Sequence, residues 1–582
     1  MPLNNVSRSY GDLDTPANMA SPSSMYRYQG RWKEAEKIEG RVMDMNLCVL
    51  DEEHPVTLIS ISDQASTYLK QGRWKDAEEL FVRVIDIRKR VLGAEHPDTL
   101  TSVDNLASTY LKQGRWKVAE ELFVRVIDVR KRVLGAEHPD TLTSVDNLAS
   151  TYLKQGRWKE AEELFVRVID VRKRVLGPEH PDTLTSVDNL ASTYLNQGQW
   201  KEAEELFVRV IDMRKRVLGA EHPDTLTSMG NLASTYCTQG QWKKAEELFV
   251  QVTKTKKMVL GAEHPDTLTS MSNLASTYGR QGRWKEAEKL FVQVSEMRKR
   301  VIGLEHPSTL TSVNGLASTY LNQGQWKGAE KLFVQVIETE KRVLGREHPS
   351  TLSSMANLAS TYLNQGQWKE SEQLFAQVIN MCLRVLGQEH PYTLTSMNGL
   401  GSTYLNQGRW KEAEKLFVQV IEMEKRVIGQ EHPSILSSMD NLASTYLKQG
   451  RWREAEELFM QTTTTRRRLL GQEHPDTLTS MSNLASTYGR QGRWKEAEKL
   501  VVQVYEMSSR VLGQEHPQTL TTMNNLALIW KHQNRDAEAL ELLSSCLEIL
   551  TRKLGANHPN TVTCTQTYNT WKAKEHSTCQ VM

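Results

Sequence analysis

The chain has no apolar run approaching the ~18 residues that suggest a membrane-spanning helix. Its first residues carry no apolar signal core, which argues against secretion. Only six cysteines occur in 582 residues: Cys48, Cys237, Cys382, Cys546, Cys564 and Cys579. They show neither disulfide nor zinc spacing and fit a reducing, cytoplasmic setting. Neither sign of charge dominates. With 73 Lys+Arg against 71 Asp+Glu the net charge is +2, so the basic footprint of a nucleic-acid binder is missing. There is no G-x-x-x-x-G-K-S/T phosphate loop, no G-x-S-x-G, no H-E-x-x-H and no paired-Cys zinc pattern. Carboxylate pairs such as Glu120-Glu121 and Glu162-Glu163 are copied down the chain, whereas a catalytic acid/base pair should be singular. No enzyme activity, catalytic residue, metal or cofactor is expected.

One stretch, residues 96–137, is present many times over. A His-Pro pair marks its register at His54, His96, His138, His180, His222, His264, His306, His348, His390, His432, His474, His516 and His558, always 42 residues apart. A strict period of this length signals a stacked-repeat architecture, which frees a long chain from the size limit of a single core. Within the unit, Pro97 and Asp98 suit a helix N-terminus. Leu100, Val103, Leu106, Ala107 and Tyr110 form a helical stripe, helix A, that Gly114 ends. Trp116, Ala119, Leu122, Phe123, Val126, Ile127 and Val133 form a second stripe, helix B, closed by Gly135. The tight turn at Gln113-Gly114 makes the two helices antiparallel neighbours.

Leu106-Ala107, Tyr110, Gly114, Trp116, Ala119 and Phe123 match the tetratricopeptide pattern. The 42-residue unit, with Leu-Ala-x-x-Tyr, Gln-Gly-x-Trp and the Gly135…His138-Pro139 junction, resembles the repeats of kinesin light chains. It is also similar to the tetratricopeptide arrays of fungal multidomain receptors. The resemblance implies an all-α, right-handed superhelical solenoid of antiparallel helix pairs, with helices A on the concave side. It implies a non-enzymatic adaptor that binds extended peptide segments of other proteins in that groove. The rival expectation is the ligand-sensing array of a fungal-type NACHT/NB-ARC receptor without its NTPase domain. Kinesin light chains reach their motor through an N-terminal coiled coil. Residues 1–30 have no room for one, so motor association is not expected.

Residues 1–25, rich in Ser, Asn, Pro and Met, read as unordered. Residues 26–53 are a degenerate first repeat, residues 54–557 hold twelve repeats, 558–572 form a capping helix and 573–582 a tail. The tail ends Cys579-Gln580-Val581-Met582, which resembles a prenylation box; a membrane would be a partner only through that lipid. A 210-residue echo, residues 264–291 recurring from His474, points to duplication of five units.

Four further features carry expectations. Each His should border helix A and bond backbone or a neighbouring loop, since stacked pairs hold equivalent positions too far apart to share a metal. The Trp at the start of each helix B should fill the wedge between A and B. The basic ends of helix B, such as Arg130-Lys131-Arg132, either complement the helix dipole or attract an acidic partner. The groove is expected on helix A, where units differ from one another. One varying series is Asp104, Asp146, Asp188 and their copies, and a second is Lys112, Lys154, Asn196 and theirs. Ser108 and its copies lie between. Beside them runs a ladder of Asn105, Asn147, Asn189, Asn231, Asn273, Asn357, Asn441, Asn483 and Asn525, whose amides could bond a peptide backbone as donor and acceptor.

Overall fold

The computed structural model describes residues 22–556 and 558–579, and every regular element among them is a helix, 27 in all. Helix A of the second complete unit is Pro97–Lys112. His96 caps it: its extended backbone turns the ring inward so that Nδ1 accepts the Asp98 N–H at 3.2 Å. Pro97, lacking an N–H, takes the first helical position at no cost. Thr99 Oγ1 reaches back to the Gly93 carbonyl at 2.9 Å and fixes the angle at which the chain enters. Gly114, at φ +74°, reverses the chain, and the Arg115 N–H closes the turn on the Tyr110 carbonyl. Helix B is Trp116–Val133, and Gly135, at φ +99°, leads to the next His-Pro.

The wedge between helices is filled by Ala107, Ala119, Phe123 and Ile127 together with Leu148 from the following helix A. Phe123 is fully buried. Truncating such a ring to Ala typically costs about 3–5 kcal/mol. Successive helices A touch one another, as Pro97–Lys112 touches Pro139–Lys154, whereas successive helices B are separated by the A helices between them. The A helices therefore follow the shorter, inner arc of the superhelix.

That superhelix winds until it meets itself. His348 Nε2 lies 3.1 Å from the carbonyl of Lys112, 236 residues earlier. The same contact joins His306 to Lys70, His390 to Lys154, His432 to Asn196 and His474 to Thr238 at the same separation. One superhelical turn thus takes between five and six 42-residue units. The A–B turn of one unit meets the His-Pro start of another, which is the opposite end of a helix pair. The helices consequently run along the tube, and a 16-residue helix sets a rise of roughly 24 Å per turn.

Both chain ends differ from expectation. Residues 22–25, placed in the unordered segment, open a short helix, Pro22–Tyr28. The capping helix extends beyond residue 572 to Cys579, because nothing in 573–579 breaks it. Residues 1–21 and 580–582, and so most of the unordered segment and the rest of the prenylation box, lie outside the described residues.

The Asp series does not face the groove. Asp104 is buried, and its Oδ2 accepts from Arg130 Nη1 at 2.5 Å and from Ser144 Oγ of the next helix A at 2.8 Å. Asp146 with Arg172, and Asp188 with Arg214, repeat this arrangement. The physical reason is angular. Eight residues advance a helix by two turns and roughly 80°, so Asp104 points at helix B while Lys112 points inward. Arg130, Arg172 and Arg214, which begin three of the basic sets, are therefore neither dipole complements nor exposed lures. Each is the buried half of an ion pair, and Arg130 also donates to the Asp140 carbonyl and to Ser144. Burial pushes the Asp104 carboxyl up to about 6, with Arg130 opposing, so the pair is still charged at neutral pH.

In several units the two positions change together, although Arg298 occurs with Ser272 and Lys256 with Gly230. Asp440 faces Arg466, Asn314 and Asn398 occur with Glu340 and Glu424, and Ala356 occurs with Cys382. Removing one partner of a buried pair leaves an uncompensated charge and costs about 3–5 kcal/mol. Arg130→Cys alone should lower the opening free energy of helix 97–112, read by native-state hydrogen exchange, by about 3 kcal/mol. Adding Asp104→Ala, which recreates the Ala356/Cys382 pair, should restore most of it; simple additivity of the two losses would refute the pairing.

Glu340 and Glu424, each bonded to a Ser but to no cation, are pushed up to about 7 by burial. The folded state then binds more protons than the unfolded chain, so stability falls as pH rises from about 4.5 towards 7. Glu340→Gln should abolish its share of that slope and stabilise the chain at pH 8 by up to about 3 kcal/mol, measured by denaturant titration at pH 5 and pH 8.

Candidate functional site

Two surfaces stand out: the inner face of the tube and the seam between its turns. On the inner face, Asn105, Asn147, Asn189, Asn231, Asn273, Asn357, Asn441, Asn483 and Asn525 are half-buried. Most of their backbone carbonyls are taken by the Thr four residues on, as Asn147 is by Thr151 at 2.8 Å, yet the side-chain amides bond nothing among the described residues. Ser108 is half-buried beside them, and Lys112, Lys154 and Asn196 are exposed. Asn196 spends its amide on the Ser192 carbonyl of its own helix. Lys70, Lys112 and Lys154 succeed one another along the inner arc. Desolvation by the surrounding wall, and then the charges of its two lysine neighbours, pull the Lys112 ammonium below the ordinary lysine range. Of the predicted groove residues, the Asn ladder, Ser108 and the Lys112 series share the inner face; Asp104, Asp146 and Asp188 do not join them.

Gly315 and Gly399 interrupt the Asn ladder for a steric reason. A Cβ at Gly315 would lie 2.4 Å from the Phe291 ring, and one at Gly399 equally close to Phe375. In those units the core aromatic has moved into the space that the Asn side chain occupies elsewhere.

The seam was not foreseen. Each His was expected to bond backbone near helix A, and Nδ1 does so. From His264 onward the second nitrogen also reaches a carbonyl one superhelical turn away. Because Nδ1 accepts a backbone N–H, the ring proton sits on Nε2, which donates to that carbonyl. The Trp rings from Trp32 to Trp284 reach past the A–B wedge to the next turn, whereas Trp494 packs within its own pair against Ala485 and Ala497. Trp74 lies against His348 with ring centroids 5.5 Å apart, and Trp116 meets His390 at 5.4 Å. The reason is position: Trp opens helix B at the end of the pair, where its outer side faces the next turn. Gly114 is needed twice here. Its φ is positive, and a Cβ would come 2.4 Å from Pro349 Cδ. The signal available in the sequence was the joint repetition of Gly, Trp, His and Pro, but nothing local says that they meet 236 residues apart. Between turns the seam opens into clefts. The one near its C-terminal end, about 750 Å³, is lined by Trp242, Trp284, Glu286, His516, Pro517 and Lys553 among others.

Among the described residues, no cluster of His, Cys, Asp and Glu is placed to hold a metal, and no helix is long and apolar enough to cross a membrane.

A tube of near-identical helix pairs with an unengaged polar ladder on its inner face is a helical-repeat protein-interaction scaffold by class. The chain belongs to the tetratricopeptide repeat family: models of that repeat match successive overlapping windows from 23–90 to 185–258, then 267–308, then from 308–383 to 476–551. Its repeats are kinesin light chain-like. Similar solved structures include a provisionally named kinesin light chain of Podosopora anserina with nearly identical TPR-like repeats, and a single-substitution variant of it. Each is 35% identical, covers 35% of this chain and 98% or 97% of that chain, and has a TM-score of 0.31. BtubC (BKLC) from P. vanneervenii is 16% identical and covers 40% of this chain and 92% of that one, with a TM-score of 0.31. A search of curated proteins finds no match.

The seam has a definite pH dependence. Burial lowers the pKa of His306, His348, His390, His432, His516 and His558, outweighing the carbonyl contact that favours the cation. Protonation would also place a hydrogen on Nδ1, facing the N–H it now accepts. Unfolded or unwound chain binds the proton more readily, so the seam's contribution is complete above about 6.5 and is lost as pH falls below it. Intrinsic-rate-corrected hydrogen exchange at residues 348–352 should quicken between pH 7.5 and pH 5 more than at 96–100, whose His makes no contact with another turn among the described residues. Equal change at both would show that the seam is not the titrating element.

Proposed function

We propose that the chain is a non-enzymatic scaffold that holds an extended polypeptide segment along its inner face. The observation that carries this is the Asn ladder: nine equivalent amides, half-buried and without partners among the described residues, recurring at 42-residue steps along the inner arc except at Gly315 and Gly399. An amide offers both donor and acceptor and so suits a peptide backbone, which presents the same pair in every residue. A regular ladder binds backbone without selecting sequence. Selection falls to the neighbouring series. Lys70, Lys112 and Lys154 favour acidic side chains near the N-terminal end, while Asn196 and Thr238 make the next two positions neutral before Arg280 restores a positive charge.

Each Asn contact contributes roughly 0.5–1.5 kcal/mol, so one loss is hard to see and three together are not. The variant Asn147→Ala, Asn189→Ala, Asn231→Ala should bind a partner peptide, isolated by co-purification with the intact chain, at least about tenfold more weakly by fluorescence anisotropy. Undiminished affinity with unchanged helicity would move the binding site off the inner face.

A further inference from the structure

Two facing positions, one apolar and one hydroxylic almost throughout the array, become cysteine together at one place. On helix B the first position is Val84, Val126, Val168 and their copies through Val420, then Thr462 and Val504, and then Cys546. On the helix A that follows, the second is Ser102, Ser144 and their copies through Ser480, then Thr522, and then Cys564. No other unit has cysteine at either position.

Cys546, on helix Asp536–Leu554, and Cys564, on helix Pro559–Cys579, lie in one buried cluster with Leu520, Met523, Leu543 and Leu550. They are 0% and 3% exposed, and both are free thiols. The Cys546 thiol donates to the Cys564 sulfur. That bond holds the Cys564 thiol below the ordinary cysteine range and, together with burial, pushes the Cys546 thiol up. A buried cysteine on its own, such as Cys382, is an ordinary small core side chain. Packing alone gives no reason for both members of a facing pair to become cysteine in the same unit.

We propose that Cys546 and Cys564 are a redox site: a peroxide converts them to a disulfide that ties helix Pro559–Cys579 to helix Asp536–Leu554. Hydrogen peroxide is the only co-reactant the chemistry needs. The Cys564 thiolate attacks one peroxide oxygen, the O–O bond breaks, and hydroxide leaves as water with the thiol's proton. The Cys546 sulfur then attacks the sulfur of the sulfenic acid. The S–S bond forms, the S–O bond breaks, and a second water leaves with the Cys546 proton. Two thiols are oxidised and one peroxide is reduced to two waters. Peroxide is small and uncharged, so a brief local opening of the helix admits it.

The bond acts on the seam. His558 and Pro559 open the same helix. The His558 ring lies 6.1 Å from that of Trp284, and a Cβ on Gly324 would come 2.8 Å from Pro559 Cδ. A disulfide two turns of helix further on holds that junction in place, together with the Leu554 and His558 side of the 750 Å³ cleft.

Peptide mapping of the full chain, treated with hydrogen peroxide while folded and then alkylated in denaturant, tests this. Trypsin separates the two cysteines, since Arg552 and Lys553 lie between them. The expected product is a pair of peptides joined through Cys546 and Cys564 and lighter by two hydrogens than the reduced pair. Closing a loop of about 18 residues should slow hydrogen exchange across residues 558–572 by about 100-fold, and a thiol reductant should reverse this. The variant Cys546→Val, Cys564→Ser recreates the pair of the other units; it should keep its helicity and show no change in exchange on peroxide treatment. Oxygen added to either cysteine without a crosslink would overturn the proposal. So would a disulfide from either to a different cysteine, or thiols that stay reduced in the folded chain at peroxide levels that oxidise the unfolded one. A crosslinked chain that exchanges no more slowly, or a double variant that slows as the wild type does, would overturn it equally.

Discussion

The tube depends on one imidazole used on both of its nitrogens. Nδ1 caps helix A of its own unit, and Nε2–H grips a carbonyl at the end of another helix A, 236 residues away. The first bond makes the start of each helix pair; the second joins that start to the preceding turn of the superhelix. A solenoid with only nearest-neighbour contacts behaves as a one-dimensional chain of units. The second bond adds contacts at long sequence separation and turns a flexible ribbon into a walled tube. Pro, Gly and Trp serve the same junction: Pro and Gly approach where a Cβ would not fit, and Trp lies over the ring.

Within the wall, the buried Asp–Arg pairs show how a repeat protein changes without losing its fold. A buried ion pair is a poor source of stability but a costly thing to break by halves. Several units vary both positions together, from Asp104 with Arg130 to Ala356 with Cys382. Arg298 with Ser272 and Lys256 with Gly230 keep a buried cation without the carboxylate, and Glu340 and Glu424 are carboxylates without a cation. There the missing cation leaves a carboxyl that titrates near neutrality.

The inner face inherits its regularity from the same repetition. Equivalent Asn side chains fall one per unit because the register of helix A never slips. Where Phe291 and Phe375 intrude, Gly stands in for Asn. The groove is thus what the packing of the core leaves free. Lys70, Lys112 and Lys154, drawn together by curvature, give one stretch of it a character that three separate surface lysines would lack.

The 42-residue period, the Pro and Gly at the helix ends and the apolar stripes determined the helix pairs, their order and the inner placement of the Asn ladder. All of these rest on contacts within a unit or between neighbours, which local spacing encodes. Three matters were decided only by the tertiary structure. Asp104, Asp146 and Asp188 turn away from the groove, because an eight-residue step leaves roughly 80° between them and the Lys112 series, enough to exchange an open face for a buried one. Arg130, Arg172 and Arg214 are drawn inside by those carboxylates. Trp and His meet across turns because small rotations between successive units accumulate, over between five and six of them, into a closed circuit. That sum belongs to the whole array, and no single unit contains it.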